Sequence, residues 1–111
     1  MTYSLRFVPQ VEGDLAQGYA WYEFKSAGLG EDFLRAFFAS ASEISDHPLA
    51  WPSVHGAFRR RLLRRFPYAV YFTADADNVV VFGVFHCARD PRAIQEGLKD
   101  RKEIGAPNQA L

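Results

Sequence analysis

The segment that decides the fold is RRRLLRRFPYAVYF, residues 59–72, because it joins a cluster of positive charge to a run of strand-forming residues. Five arginines fall within seven residues, and an alternating aromatic pattern follows at once. The pattern predicts two strands, about 58–65 and 68–74, with a tight bend or bulge at Pro67, which cannot donate a ladder hydrogen bond. The apolar run over 79–86 predicts a third strand directly after them.

Upstream of these strands, the sequence predicts one further strand and two helices. Residues 3–8 alternate like a strand, and apolar residues recur at helical spacing over 10–26 and again over 31–46. The short AGLG link at 27–30 predicts that the two helices form an antiparallel hairpin. The residues expected to pack on one face of the sheet are Leu15, Tyr22, Phe33, Phe37 and Ile44.

The remaining segments complete a single domain over residues 1–111. Two prolines and a glycine predict a loop over 47–57, and the polar segment 89–104 predicts a turn and a short helix. The last residues, GAPNQAL, predict a loose tail. The order β-α-α-β-β-β-(α) indicates an α+β fold, with the helical hairpin on one face of a mostly antiparallel sheet. The opposite face is expected to be partly open and to carry the function.

Composition favours a small cytoplasmic protein. The chain is 49% hydrophobic, and its N-terminus, MTYSLRFVPQ, has no long apolar run that would predict a signal peptide or a membrane span. The single Cys87 excludes an intramolecular disulfide and fits a reducing compartment. Residues 1–57 carry three basic and seven acidic side chains, whereas residues 58–111 carry ten and six. This asymmetry permits one basic face on a neutral protein.

Alternation along the arginine strand predicts that Arg60 and Arg64 share one face and that Arg59, Arg61 and Arg65 share the other. At least two arginines are therefore expected on the open face in either register. Arginine presents a planar fork of donors to carboxylate or phosphate, which favours a docking role. Charge on an edge strand also protects it against aggregation, and both interpretations stay open.

Polar residues near the ends of the next two strands are the other candidates. Tyr68 can orient a phosphate or assist a proton transfer, and it can equally be a core residue with its hydroxyl at the rim. His86 can act as a general base or form a structural hydrogen bond where its strand ends, close to Arg89. The histidine spacing matches no metal site, Cys87 alone does not create one, and no phosphate-binding glycine loop is present. We therefore expect neither a metal nor a cofactor.

The order of several motifs resembles that of the RelE/ParE superfamily of bacterial toxins. The motifs are DLAQGYAWYE at 14–23, GLGEDFLRAF at 28–37, HPLAWPSV at 47–54, the arginine segment, and VFHCARDP at 84–91. The run RRFPYAVYF followed by H-x-x-R-D-P is similar to the ParE-like branch, often described as plasmid-stabilisation proteins. The resemblance implies two helices packed on a curved antiparallel sheet, in agreement with the pattern above.

The ParE-like resemblance implies a toxin of a type II toxin–antitoxin system that inhibits DNA gyrase by binding, without a chemical step. A cognate antitoxin would neutralise it with an acidic C-terminal segment that folds as it binds. The residues expected to bind the antitoxin or the target are Arg59, Arg61, Arg64, Arg65 and Arg89.

Two alternatives accompany this interpretation. RelE-like members are metal-independent endoribonucleases that cut messenger RNA on the ribosome. The residues that would carry such cleavage here are Arg59, Arg61, Tyr68, His86 and Arg89. The sequence departs from that branch because Tyr68 stands where it has a strand arginine and Gln95 where it has a late tyrosine. A third interpretation is a non-toxic homologue that only binds its antitoxin.

Overall fold

A computed structural model describes residues 3–104 of the chain. The helices are α1 (Gln10–Lys25), α2 (Leu29–Asp46) and α3 (Pro91–Ile104), and one 3-10 turn lies at Pro48–Ala50. The strands are β1 (Ser4–Phe7), β2 (Ser53–His55), β3 (Phe58–Leu62), β4 (Tyr68–Asp75) and β5 (Asn78–His86). None of the helices over 3–104 is long and apolar enough to cross a bilayer. The predicted loose tail, 105–111, lies outside the described residues.

The five strands form one sheet in the order β1-β5-β4-β3-β2. Strand β1 runs parallel to β5 and every other pair is antiparallel, which confirms the predicted α+β fold with a mostly antiparallel sheet. The prediction of an uninterrupted loop over 47–57 was wrong, because Ser53 pairs with Arg59 to add β2 at the edge. This strand has only three residues and lies between Pro52 and Gly56, so it carries no periodic signal.

The bend between β3 and β4 is tighter than its sequence suggested. The Leu63 N–H donates to the Tyr68 carbonyl at 2.8 Å, and the Tyr68 N–H donates to the Phe66 carbonyl at 2.7 Å. A predicted strand reaching residue 65 was therefore wrong: β3 ends at Leu62, and Arg65 adopts a left-handed φ of 71° inside the bend. The predicted tight bend at Pro67 is confirmed.

The hairpin of α1 and α2 packs on one face of the sheet, as predicted. Phe33, Phe37 and Ile44 are fully buried, while Leu15 and Tyr22 are partly buried against the same core. The two helices approach closely at Gly18, where a Cβ atom would lie 2.5 Å from the Phe33 ring. Glycine at this position therefore lets the aromatic side chains of α2 reach the sheet.

The opposite face is covered in part by α3. A bulge in the β4–β5 ladder lets Val81 and Val84 both face the hairpin, with Gly83 facing the other way. Ile94 and Leu98 of α3 are buried, and they belong to the same apolar core as the sheet. The predicted polar helix therefore carries two apolar residues one turn apart, which dock it onto the sheet.

The free edge of β5 is closed by an ion pair between helices. β1 ends at Phe7, and beyond it the Asp14 carboxylate of α1 accepts a hydrogen bond from the Val84 N–H at 2.9 Å. Arg101 of α3 donates to the Phe82 carbonyl at 3.0 Å and to Asp14 at 2.6 and 3.0 Å. We call Asp14 and Arg101 the edge clamp, because they satisfy backbone groups that a neighbouring strand would otherwise pair.

Candidate binding surfaces

Arg61 faces α2 rather than solvent, and only 6% of its surface is exposed. Its guanidinium donates to the Ser40 hydroxyl at 2.6 Å, forms an ion pair with Glu43, and lies 5.1 Å from the centre of the Trp51 ring. The charge of Arg61 is thus used inside the fold, and no free guanidinium is presented to a partner. A Ser-x-x-Glu pair on α2 was the only sequence signal of this network.

The other arginines of the segment are dispersed. Arg59 is half-buried and donates to the Trp51 carbonyl at 2.6 Å. Arg60 is the only β3 arginine facing away from the hairpin, so the expectation of two arginines on the open face was wrong. Arg64 and Arg65 are exposed in the bend, where Arg65 lies 3.7 Å from an Asp32 oxygen. The exposed charge is therefore divided between the open face and the bend.

A cleft of about 350 Å³ lies where β4 begins and β5 ends. Tyr68 and His86 are direct cross-strand partners, with ring centres 5.1 Å apart, and Arg89 follows them. We define the strand-end cleft by Asp14, Gln17, Tyr68, His86 and Arg89, which all line it. Three of the five nuclease candidates therefore meet here, whereas the two β3 arginines do not line the cleft.

The strand-end cleft presents hydrogen-bond donors and lacks a free base among the residues described. Burial raises the pKa of the Tyr68 phenol, and burial followed by the nearby Tyr68 raises that of Tyr22. Both phenols therefore stay protonated at neutral pH. His86 accepts a hydrogen bond from the Ala88 N–H at Nδ1, at 3.0 Å, so the proton of the neutral ring lies on Nε2. The lone pair on His86 Nδ1 therefore already accepts the Ala88 N–H and is not free to take a proton.

The shifted phenols give a direct test of this environment. A spectrophotometric titration of the five tyrosines is expected to contain a component above the ordinary pKa of about 10, and Tyr68→Phe should remove part of it. Because these pKa values are higher in the folded protein, their contribution to stability is full below about pH 10 and is lost as the pH rises through the folded values. A titration of Tyr68→Phe that retains the whole high-pH component would contradict the assignment.

An apolar groove runs along the outer surface of the helical hairpin. Two adjoining cavities of about 310 and 440 Å³ share Glu12, Leu15 and Phe38 in their walls. Phe38 is 56% exposed, and Glu12 is the only charged residue among those known to line either cavity. The lining residues of this hairpin groove are Phe7, Val8, Pro9, Val11, Glu12, Leu15, Ala16, Tyr19, Leu34, Phe37 and Phe38. Such a surface is typical of a protein that binds another chain.

Within residues 3–104, no three His, Cys, Asp or Glu side chains come close enough to hold a metal ion. Sequence reasoning missed Asp14, Gln17 and Arg101 as structural or cleft residues. Asp14 and Gln17 share one side of α1, away from the apolar stripe that defined the helix. No local sequence pattern predicted the role of Arg101, because its partner Asp14 lies 87 residues away in the chain.

Known proteins include a family that matches this chain and structures that share its fold. Residues 5–91 match the model of the family described as "ParE toxin of type II toxin-antitoxin system, parDE". A chain of the chromosomal ParDE system from P. aeruginosa aligns with a TM-score of 0.69 at 15% identity, covering 77% of this chain and 96% of that one. A chain of the archaeal RelE–RelB complex from Pyrococcus horikoshii aligns with a TM-score of 0.54 at 15% identity, covering 81% and 100%. No curated protein sequence matches the chain. Since the matched family model spans most of its length, the chain belongs to the ParE toxin family of type II toxin–antitoxin systems.

Proposed function

We propose that this protein is a cytoplasmic toxin that inhibits DNA gyrase by binding and that a cognate antitoxin holds it inactive. The observation that carries the antitoxin half of the proposal is the hairpin groove. Its walls are apolar, and Phe38 projects from α2 with more than half of its surface exposed. An antitoxin segment that folds on binding would cover this surface. The role that we propose for the pair is plasmid stabilisation or an equivalent toxin–antitoxin function.

The proposed antitoxin segment combines apolar and acidic side chains. Its apolar side chains would occupy the hairpin groove, and its carboxylates would pair with exposed arginines of the bend and the open face. Arg60 and Arg64 have no ion pair within residues 3–104, while Arg65 is shared with Asp32 at 3.7 Å. Arg59 and Arg61 would contribute only indirectly, because both already bind groups of the fold.

Binding rather than cleavage is supported by the chemistry of the strand-end cleft. RNA cleavage needs a base for the 2′-hydroxyl proton and charge stabilisation at the phosphorus. Tyr68 is held in its protonated form, and the basic nitrogen of neutral His86 already accepts a hydrogen bond. The β3 arginines that would supply charge point toward α2 and Trp51 instead. These positions do not favour the endoribonuclease alternative.

The groove is tested by introducing charge at its most exposed aromatic residue. Phe38→Glu is expected to weaken the complex with the adjacent gene product by at least about 100-fold, because it places a charge in an apolar interface. Co-expression followed by purification through a tag on the antitoxin measures this loss. The matched control is Phe24→Glu, which changes another exposed helical phenylalanine that does not line the groove. If the tagged antitoxin recovers equal amounts of both variants, the hairpin groove is not the antitoxin-binding surface.

The target is tested by induction in cells without antitoxin. We expect DNA damage and filamentation with intact ribosome-bound messenger RNA, and inhibition of supercoiling when purified protein is added to purified gyrase. His86→Ala should leave toxicity within a few-fold, whereas loss of a true general base costs about 10²–10⁴ in rate. Cutting of ribosome-bound messenger RNA that Tyr68→Phe or His86→Ala abolishes without unfolding would establish the endoribonuclease instead. No effect on growth, together with antitoxin binding, would indicate the non-toxic homologue.

A further inference from the structure

Arg89 is an oriented cation without a counter-ion in the described part of the chain. Its guanidinium carbon lies 4.8 Å from the centre of the Phe85 ring, and so does that of Arg101. The two arginines differ in what they bind: Arg101 forms the edge clamp with Asp14, whereas Arg89 has no ion pair or hydrogen bond from its guanidinium within residues 3–104. Stacking on Phe85 thus holds the Arg89 guanidinium at the strand-end cleft with its donors unused.

Other residues that line the cleft carry further hydrogen-bond donors. Tyr68, His86 and Gln17 all line the cleft, and their side chains carry a hydroxyl, an Nε2 proton and an amide. Asp14 is the only carboxylate among the described residues that line it, and both oxygens of Asp14 already accept hydrogen bonds from Arg101, one of them also from the Val84 N–H. A neutralised carboxylate repels an incoming anion only weakly. A free guanidinium together with several neutral donors is the chemistry that binds an oxyanion.

An exposed indole lies on the same side of α1 as the cleft. Trp21 follows Gln17, which lines the cleft, by four residues, so the two side chains are neighbours on one side of α1. Trp21 is 53% exposed, and the Lys25 amine lies 4.3 Å from its ring centre. An exposed indole one helical turn from a residue that lines the cleft offers a stacking surface to a nucleobase, and the lysine adds a second positive charge.

We propose that the strand-end cleft binds the terminal phosphate of a nucleotide on Arg89 and that the nucleobase stacks on Trp21. A cleft of about 350 Å³ falls at the lower end of the range of about 300–1,000 Å³ typical of small-ligand sites. The phosphate can belong to a free mononucleotide or to the end of a nucleic-acid strand, since both present the same group. This inference concerns binding alone and does not depend on the toxin role.

Titration of the purified protein with uridine 5′-monophosphate, uridine and inorganic phosphate tests the site, read by calorimetry and tryptophan fluorescence. Uridine 5′-monophosphate is expected to bind at least about ten-fold more tightly than uridine, because only the nucleotide offers charged acceptors to Arg89. Trp21→Ala should weaken the nucleotide and leave inorganic phosphate unchanged. Absence of nucleotide binding, or a nucleotide that binds no better than uridine, would overturn the proposal.

Arg89→Gln is expected to weaken nucleotide binding at least about ten-fold, since it removes the cation and keeps a polar side chain. Its matched control is Arg6→Gln, which removes the same charge from β1, a strand that does not line the cleft. Equal effects of the two variants would show a general charge effect and defeat the assignment. Antitoxin binding by the Arg89→Gln variant is measured in parallel. Comparing it with nucleotide binding by the same variant shows whether the strand-end cleft and the hairpin groove act separately.

A tetranucleotide with a 5′-phosphate and the same tetranucleotide with a 5′-hydroxyl distinguish the two sources. Binding of the mononucleotide supports a free-nucleotide site, whereas tighter binding of the phosphorylated tetranucleotide supports a strand end. Equal binding of both tetranucleotides would contradict recognition of a terminal phosphate. Binding of a hexaglutamate peptide that Arg89→Gln abolishes, without any nucleotide binding, would assign the cleft to an acidic protein segment instead.

Discussion

Replacing Phe37 by alanine is expected to lower the free energy of unfolding by about 3–5 kcal/mol. Phe37 is fully buried between the hairpin and the sheet, and its ring centre lies 5.9 Å from that of Phe7. Removing the ring leaves a cavity in the only continuous core of the described domain, which the rigid sheet cannot close. Urea unfolding followed by circular dichroism measures the loss.

The adjacent Phe38 provides the matched control. It belongs to the same helix but is 56% exposed, so Phe38→Ala should change stability by less than about 1 kcal/mol. Similar losses for the two alanine variants would mean that the hairpin does not pack on the sheet through Phe37. If the slope of the unfolding free energy against urea concentration is the same for both variants, both unfold from the same compact state.

Asp14→Ala is expected to destabilise the protein by about 3–5 kcal/mol, because it leaves the Arg101 charge unpaired in a poorly solvated position. The Asp14 and Arg101 side chains are only 10% and 19% exposed, so solvent cannot replace the lost partner fully. The substitution also removes the acceptor of the Val84 N–H. Thermal and urea unfolding of the variant measure the combined loss.

A double-mutant cycle separates the charge from the backbone contacts of the edge clamp. Adding Arg101→Met removes the unpaired cation and should recover about 1–3 kcal/mol relative to additive losses. Recovery should stay incomplete, because Val84 still lacks its acceptor and the Phe82 carbonyl loses its donor. Strictly additive losses would show that the two side chains act independently.

The sequence predicted those parts of the fold that repeat a local pattern. The buried residues of α2 follow the predicted helical spacing. Strands β4 and β5 were predicted from their strand-forming residues, but they are buried at consecutive positions, because the hairpin covers one face of the sheet and α3 covers part of the other. Strand β2 was missed because three residues between a proline and a glycine hold no period. The course of β3 was misjudged, since alternation alone cannot tell where a strand ends and a bend begins.

The candidate site was predictable only where one sheet brings strand ends together. Tyr68 and His86 lie opposite each other in the β4–β5 ladder, and Arg89 follows three residues later, so their proximity results from the register of a single hairpin. The burial of Arg61 was not predictable, because its partners lie 18 and 21 residues away on a helix. Long-range pairs of this kind depend on how the helices dock on the sheet. The spacing of neighbouring residues in the sequence does not predict that docking.

The edge clamp also has a consequence for the order in which the chain matures on the ribosome. β1 pairs with β5 between Ser4 and Asn78, and Asp14 meets Arg101 across 87 residues. At about 5–20 residues per second, those 87 residues take on the order of 4–20 seconds to synthesise. The first helix can pack on α2 soon after both are made, whereas β1 must wait for β5 and Asp14 must wait for Arg101. The edge of β5 therefore stays open during this interval, and the complete domain forms only when it ends.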